Sequence, residues 1–569
     1  MNSIPSRPRV PAPVLAAIPL AVHAFLAWRL RAAAISTGQD DSVYLLLGRG
    51  LRDFAYSNYW LVPSAPHGTY PPLYPLILGV TTAIFGDGLT PALVLSVVFS
   101  TLALGILFSI ACRWSPPVAF LTLSVCAVNP WLVRLAGMMY TEPFYLLCTA
   151  LTLWFLAAPV PSSRTRFGAA SFAMASFLVR VMGITMVAAV FLTWVIERRR
   201  RAALTFALVS LLCVGGWFVR ARIAAGAAMA GQSYISDVLS TRSQATPDRE
   251  PVAPVQDTAT AAGRDSSPSP ATAPAPVATP SGRVTSVAAF AATIVKRVVS
   301  NTPAYLSRRV PSVLAFPTIP GTILDNGLWV VLIIVLGGLG LFELSRRLPG
   351  AALYLSCFGG ALLVWPYSLP RFLAPVIPLL VLVLFLGLGR LVKGRSGAIT
   401  WTTLSLLALV LIVSGFSQNG RELAVMARCD RSAPYTSEGC YDQVERSFFE
   451  AVRQADREAP PGAVFMSPKM ATVYLLTGRR SIDELRATRL GPEELRQHLK
   501  DFGVQYILFS RIHLDQKWLA ERLQSSCGEW EVRAEYVGGA LLLRRVDDQQ
   551  PEPARASCEA MSRFAKGPW

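Results

Sequence analysis

The sequence predicts a polytopic α-helical membrane protein of about eleven membrane helices, including one short helical hairpin, followed by an extracytoplasmic α/β domain. Three observations predict it. Apolar residues make up 53% of the chain and charged ones only 15%, the balance of a protein whose surface faces lipid. Several segments approach or exceed the ~20 apolar residues that a spanning helix needs. The basic residues cluster between apolar runs, at Arg164 and Arg166, Arg198 to Arg201, Arg346 and Arg347, and Lys393 and Arg395. A net charge of +18 can point to nucleic acid, but this spacing is the positive-inside pattern. It places those loops in the cytoplasm and makes the lipid bilayer, not nucleic acid, the partner.

The first span, about Val14 to Ala34, follows Arg7 and Arg9, so the N-terminus is cytoplasmic. No small-residue cleavage site follows it, and it reads as an uncleaved anchor. It leads outward to a polar loop, residues 37–86. Within that loop Leu73 to Phe85 is too short to cross and follows Pro71-Pro72, so it reads as a surface helix. Counting it as a span would put the Arg164/Arg166 loop outside. Pro91 to Cys112 then runs inward, Val118 to Val133 outward and Tyr140 to Ala158 inward. Between the basic clusters at Arg166 and Arg198, two short helices meeting near Arg180 keep both ends cytoplasmic; a charge at that tip needs a partner.

Leu204 to Val219 leads outward to Arg220 and Arg222. Residues 237–283 are rich in Pro, Ala, Ser and Thr, a composition that cannot bury a core, and read as a disordered external insertion. Val284 to Val299 reads as a helix on the outer face. The spans Leu328–Leu344, Ala351–Tyr367, Phe372–Leu391 and Ile399–Phe416 complete a membrane domain of residues 1–416. The last one exits outward, which puts residues 417–569 outside the cytoplasm.

That tail reads as a small α/β unit, with helices Tyr441–Arg457 and Pro492–Lys500 and strands Ala463–Met466, Val504–Phe509, Trp530–Tyr536 and Ala540–Arg545. It has no Gly-rich phosphate loop; a lid, an acceptor-docking surface and plain structural support all fit it. Its cysteines, Cys429, Cys440, Cys527 and Cys558, are an even set in a compartment where disulfides persist, consistent with two bridges. Cys112, Cys126, Cys148, Cys213 and Cys357 lie in or beside apolar runs and read as packing residues. No Cys or His spacing resembles a metal site.

The candidate chemistry lies on the outer side: Asp40 and Asp41 directly after the first span, Glu142 in Thr141-Glu142-Pro143, Arg220 and Arg222, and Arg371 before Phe372. Arg180 joins them from the hairpin tip. Two readings stand for the acids. Carboxylates in a first helical turn complement the helix dipole; carboxylates can equally act as a general base on an acceptor hydroxyl, with arginines neutralising a phosphate leaving group. Outside the cytoplasm ATP and nucleotide sugars are not at hand, so the activated substrate must arrive in the lipid phase, and a polyprenyl-phosphate sugar fits.

Asp40-Asp41-x-x-Tyr44, Tyr70-Pro71-Pro72-Leu73-Tyr74-Pro75, Thr141-Glu142 and Arg371-Phe372-Leu373-Ala374-Pro375 with Pro378 together resemble the bacterial class C (GT-C) glycosyltransferases, the group of protein O-mannosyltransferases and lipid A aminoarabinose transferases. The resemblance covers about Val14 to Phe416. It implies an active site in the first external loop and a polyprenyl-phosphate-linked donor. It casts Asp40 as base or acceptor-orienting group, Asp41 beside it where Glu is usual, Glu142 as a second acid and Arg371 at the donor phosphate. Tyr44, Tyr70, Pro71, Pro72 and Tyr74 would form the substrate loop, with Tyr70 standing where relatives carry Lys or His. The expected function is inverting transfer of a sugar to an extracytoplasmic acceptor at the inner membrane. No cofactor is required by this reading, although Asp40 and Asp41 can hold Mg²⁺ or Mn²⁺. The alternative is a transporter or flippase of lipid-linked sugars, which predicts paired repeats and acids at the bilayer midplane.

Overall fold

The computed structural model describes residues 12–38, 40–228, 287–317, 327–366, 368–546 and 551–567. The insertion expected over 237–283, Arg7, Arg9 and Gln39 lie outside them. Contacts divide the chain into two units: Met1–Tyr59, Ser64–Ser233 and Val295–Leu423 form the first, and Trp60–Pro63, Tyr234–Ile294 and Ala424–Trp569 the second.

The first unit is helical. Its leading helices are α1 (Ala12–Arg29), α2 (Asp40–Arg52), α3 (Leu73–Phe85), α4 (Leu89–Cys112), α5 (Pro116–Ala127), α6 (Pro130–Ala136), α7 (Thr141–Leu156), α8 (Ser163–Val179), α9 (Ile184–Ile196) and α10 (Arg200–Ala228). Gly327–Arg347, Pro349–Val364, Ile377–Leu391 and Gly397–Met426 follow. Among the described residues five helices are long and apolar enough to cross a membrane, or six if the bent pair α5–α6 counts as one span. That is fewer than the sequence predicts, because helices such as α7 and Pro349–Val364 have only 16 residues each.

The expected single span Val118 to Val133 is two helices meeting at 62°. Asn129 is the cause. Its side chain accepts the N–H of Leu132 at 3.1 Å, capping a new helix that Pro130 opens, and its Nδ2 donates to the carbonyl of Val313 at 2.7 Å. The chain also breaks at Arg180, which sits in extended backbone (φ −152°, ψ 134°) between α8 and the short 3₁₀ turn Val181–Gly183 that opens into α9.

Helices α2 and α3 flank the segment 53–72, and a glycine pair lets them touch. A Cβ on Gly48 would lie 2.6 Å from the carbonyl oxygen of Pro75, and one on Gly79 would lie 2.4 Å from that of Gly48. Any side chain there would force the helices apart. This close crossing sets the start of α2, and so Asp40, against the Tyr70-Pro71-Pro72 turn that opens α3.

The second unit holds a four-stranded sheet ordered β1-β2-β4-β3, from β1 (Val464–Met466), β2 (Val504–Ser510), β3 (Trp530–Tyr536) and β4 (Ala540–Arg545). β1 and β2 are parallel and the other pairs antiparallel. Side chains of β2 alternate: Ile507 and Phe509 enter a core with Leu495, Trp530 and Met561, while Tyr506 and Leu508 enter one with Phe448, Phe449 and Phe465. Apolar residues therefore cover both faces. The helix Gln443–Glu458 starts on a capping box in which Asp442 accepts the N–H of Glu445 and Glu445 accepts that of Asp442. Disulfides join Cys429 to Cys440 and Cys527 to Cys558.

Candidate active site

Asp40 opens α2, and each of its carboxylate oxygens receives one strong donor. Oδ1 accepts the hydroxyl of Tyr70 at 2.6 Å and Oδ2 accepts Nη2 of Arg371 at 2.6 Å. Such short contacts are those of charge-assisted hydrogen bonds. Burial would raise the pKa of Asp40, but the Arg371 charge and the hydrogen bonds from Tyr70 and Arg371 outweigh it and hold the carboxyl below its usual value. Asp41 is placed differently. Its Oδ2 accepts the backbone N–H of Ser36 at 2.6 Å and its Oδ1 that of Ser42 at 2.8 Å. Burial pushes it up to about 6 against those N–H donors. The neighbouring acids thus differ in their contacts: Asp41 ties down the backbone at the helix start, and Asp40 turns to side chains of distant segments.

Glu142 lies in the first turn of α7 and is buried. Its Oε1 is ion-paired with Nη1 of Arg180, which also donates to Thr141 Oγ1 at 3.2 Å. The hairpin-tip arginine thereby has its partner. Arg371 comes from the 3₁₀ turn Pro370–Val376, where closely spaced prolines disfavour an α-helix. Its guanidinium lies 5.6 Å from the ring of Tyr140 and 5.8 Å from that of Phe372; Arg180 lies 5.3 Å from the same Phe372 ring. Phe372 thus contacts the cations of two adjacent ion pairs, Arg371–Asp40 and Arg180–Glu142. The buried Nε of Arg371 has no hydrogen-bond partner among the described residues.

Of the other expected residues, Tyr44 meets the rings of Tyr70 and Tyr74 edge-on at 4.8 and 5.2 Å, beside Pro71 and Pro72. Arg220 donates to the backbone carbonyls of His67 and, at 3.1 Å, of Tyr56. It braces the segment between α2 and α3 from α10. Arg222 is exposed. Sequence reasoning missed Tyr140, Phe372, His67 and Asn58. Phe372 had a visible signal, since it adjoins Arg371; the others depend on contacts between distant segments.

The oxygens of Asp40 and Asp41 face O–H and N–H donors, and among the described residues no group of three or more His, Cys, Asp or Glu side chains is placed to hold an ion.

Residues 69–219 match the family of dolichyl-phosphate-mannose-protein mannosyltransferases. Among solved structures, ArnT from Cupriavidus metallidurans bound to undecaprenyl phosphate is similar at a TM-score of 0.51 and 14% identity, over 94% of this chain and 99% of that one. The archaeal oligosaccharyltransferase AglB from Archaeoglobus fulgidus, in complex with an inhibitory peptide and a dolichol-phosphate, is similar at 0.51 and 11% identity, over 91% and 72%. No curated protein matches the chain. At these identities the likeness is one of fold, and the fold is GT-C-like.

Proposed function

We propose that this chain is a GT-C glycosyltransferase that moves a sugar from a polyprenyl-phosphate-linked donor to an extracytoplasmic acceptor with inversion. The observation that carries the proposal is Arg371, paired with the Asp40 carboxylate through one nitrogen while its buried Nε–H has no partner among the described residues. A phosphate oxygen is the acceptor that such a donor suits. The mannosyltransferase match over 69–219 and the lipid phosphates named with the two solved structures support the donor class.

In the reaction the acceptor hydroxyl attacks the anomeric carbon, a C–O bond forms, and the bond to the phosphate oxygen breaks with its electron pair going to the phosphate. Asp40 takes the hydroxyl proton. Arg371, aided by Arg180, neutralises the leaving phosphate. Arg220 holds the loop in place, and no step is routed through a metal. Two disulfides in the second unit support an extracytoplasmic C-terminus, since such bonds persist in oxidising compartments. Incubating the purified protein with a panel of undecaprenyl-phosphate sugars and measuring release of undecaprenyl phosphate tests the proposal. No release from any sugar, with and without acceptor extracts, would contradict it.

A further inference from the structure

The loop that carries Tyr70 is fixed from behind by a set of hydrogen bonds. The N–H of Asn58 donates to the carbonyl of Ala65 at 2.7 Å and that of His67 to Tyr56 at 2.9 Å. His67 Nε2 accepts the backbone N–H of Tyr70 at 2.9 Å, so the ring proton sits on Nδ1, facing Asn58 Oδ1 at 2.6 Å. Burial and the nearby Arg220 charge keep that imidazole neutral down to about 3. The hydroxyl of Tyr56 donates to the carbonyl of Tyr70 at 2.7 Å, and Arg220 in turn holds the carbonyls of Tyr56 and His67. The ring of Tyr70 stacks on that of His67, with centroids 5.5 Å apart. With backbone and ring fixed, the hydroxyl is directed at Asp40 Oδ1.

We propose that Tyr70 is a positioning residue for the transfer: its hydroxyl holds Asp40 in the orientation that receives the acceptor's proton while Arg371 engages the donor phosphate. The proposal rests on the reading of Asp40 as the base. A carboxylate anchored by Arg371 alone would lose its orientation as a phosphate seated on the open Nε–H draws the guanidinium toward itself. The Tyr70 contact survives that exchange. Oδ2, relieved of the Arg371 charge, becomes the more basic oxygen and accepts the proton, and Tyr70 keeps its own.

The test is a double-mutant cycle of Tyr70→Phe and Asp40→Asn on undecaprenyl phosphate release from the sugar donor that supports it, with melting temperature and undecaprenyl phosphate binding measured for each variant. Tyr70→Phe keeps the ring stack and should lower turnover about ten- to hundredfold, the scale of one hydrogen bond to a charged group. Melting temperature and lipid-phosphate affinity should stay unchanged. In the Asp40→Asn background the same change should cost nothing further. Full turnover in Tyr70→Phe, or an equal loss in both backgrounds, would overturn the proposal. Full turnover in Asp40→Asn alone would instead reject the base assignment beneath it. Should Tyr70→Phe lower the melting temperature, 3-fluorotyrosine at position 70 keeps ring and hydroxyl and makes the hydroxyl more acidic; turnover unmoved by it would also overturn the proposal.

Discussion

Arg371 reaches Asp40 across 331 positions of sequence, Nη2 to Oδ2 at 2.6 Å, and so joins the 3₁₀ turn before the helix Ile377–Leu391 to the start of α2. Each Asp40 oxygen accepts one hydrogen bond, which leaves it lone pairs but makes it a weaker base while the Arg371 charge is beside it, and the guanidinium charge is shared while it is held. A donor phosphate that competes for Arg371 would relieve both conditions at once.

Replacing Arg371 with Ala should therefore weaken undecaprenyl phosphate binding at least tenfold and lower turnover by roughly 10²-fold, the scale of losing one electrostatic group at a developing charge. Arg371→Lys should recover only part of either, because an ammonium lacks the planar fork that serves two anions. Binding measured in detergent by competition with a labelled lipid phosphate checks this; unchanged affinity in Arg371→Ala would move the phosphate elsewhere.

The Arg180–Glu142 pair makes a stability prediction. Both side chains are largely buried, with exposures of 15% and 5%, so Arg180→Met leaves Glu142 without its counter-charge. The expected cost is about 3–5 kcal/mol, with a clear fall in melting temperature. The double variant Arg180→Met, Glu142→Gln should regain much of that loss, since neither charge is then stranded. A double variant no more stable than the single one would contradict the pairing.

Much of this site was legible in the sequence. Asp40, Asp41, Glu142 and Arg371 stood out because charge next to an apolar span is costly and needs a reason. The break at Arg180 followed from two basic clusters that had to share one side. What the sequence could not show was pairing: nothing local to Glu142 indicates Arg180, and nothing local to Arg220 indicates the carbonyls of Tyr56 and His67. The same holds for the second unit. The helix Pro551–Lys566, which buries Ala560, Met561, Phe564 and Ala565, itself opens on Pro551-Glu552-Pro553, a start that hid its short apolar face.

Glu484 gives the second unit a pH dependence. It is buried, accepts a hydrogen bond from Gln516, and is pushed from 4.5 up to about 8 by burial and then by the charge of Asp515, with Lys469 opposing. Between those two values the folded state binds more protons than the unfolded one, so stability is full below about 4.5 and falls as pH rises through 8. Thermal melts of the full chain should show a loss on the order of a few kcal/mol across that window. Glu484→Gln should flatten it. A wild-type melting temperature that rises over that range would contradict the assignment.

Topology is tested by cysteine labelling in intact cells and in inverted vesicles. Single cysteines at Arg199 and Lys393 should react from the cytoplasmic side, and cysteines at Arg222 and Glu438 from the outside. A cytoplasmic Glu438 would separate the two disulfides from the compartment that preserves them.

The most direct test of the central claim is turnover of Asp40→Asn in folded, detergent-purified protein. Asn keeps an oxygen for the Tyr70 hydroxyl and the shape of the side chain but removes the charge that pairs with Arg371 and the basicity that accepts a proton. Turnover should fall by roughly 10²-fold or more, the usual scale for a positioned base, while undecaprenyl phosphate still binds through Arg371. As a helix-starting residue Asn serves about as well as Asp. Near-normal turnover in the folded variant would therefore leave Asp40 a structural residue and contradict its role as the base.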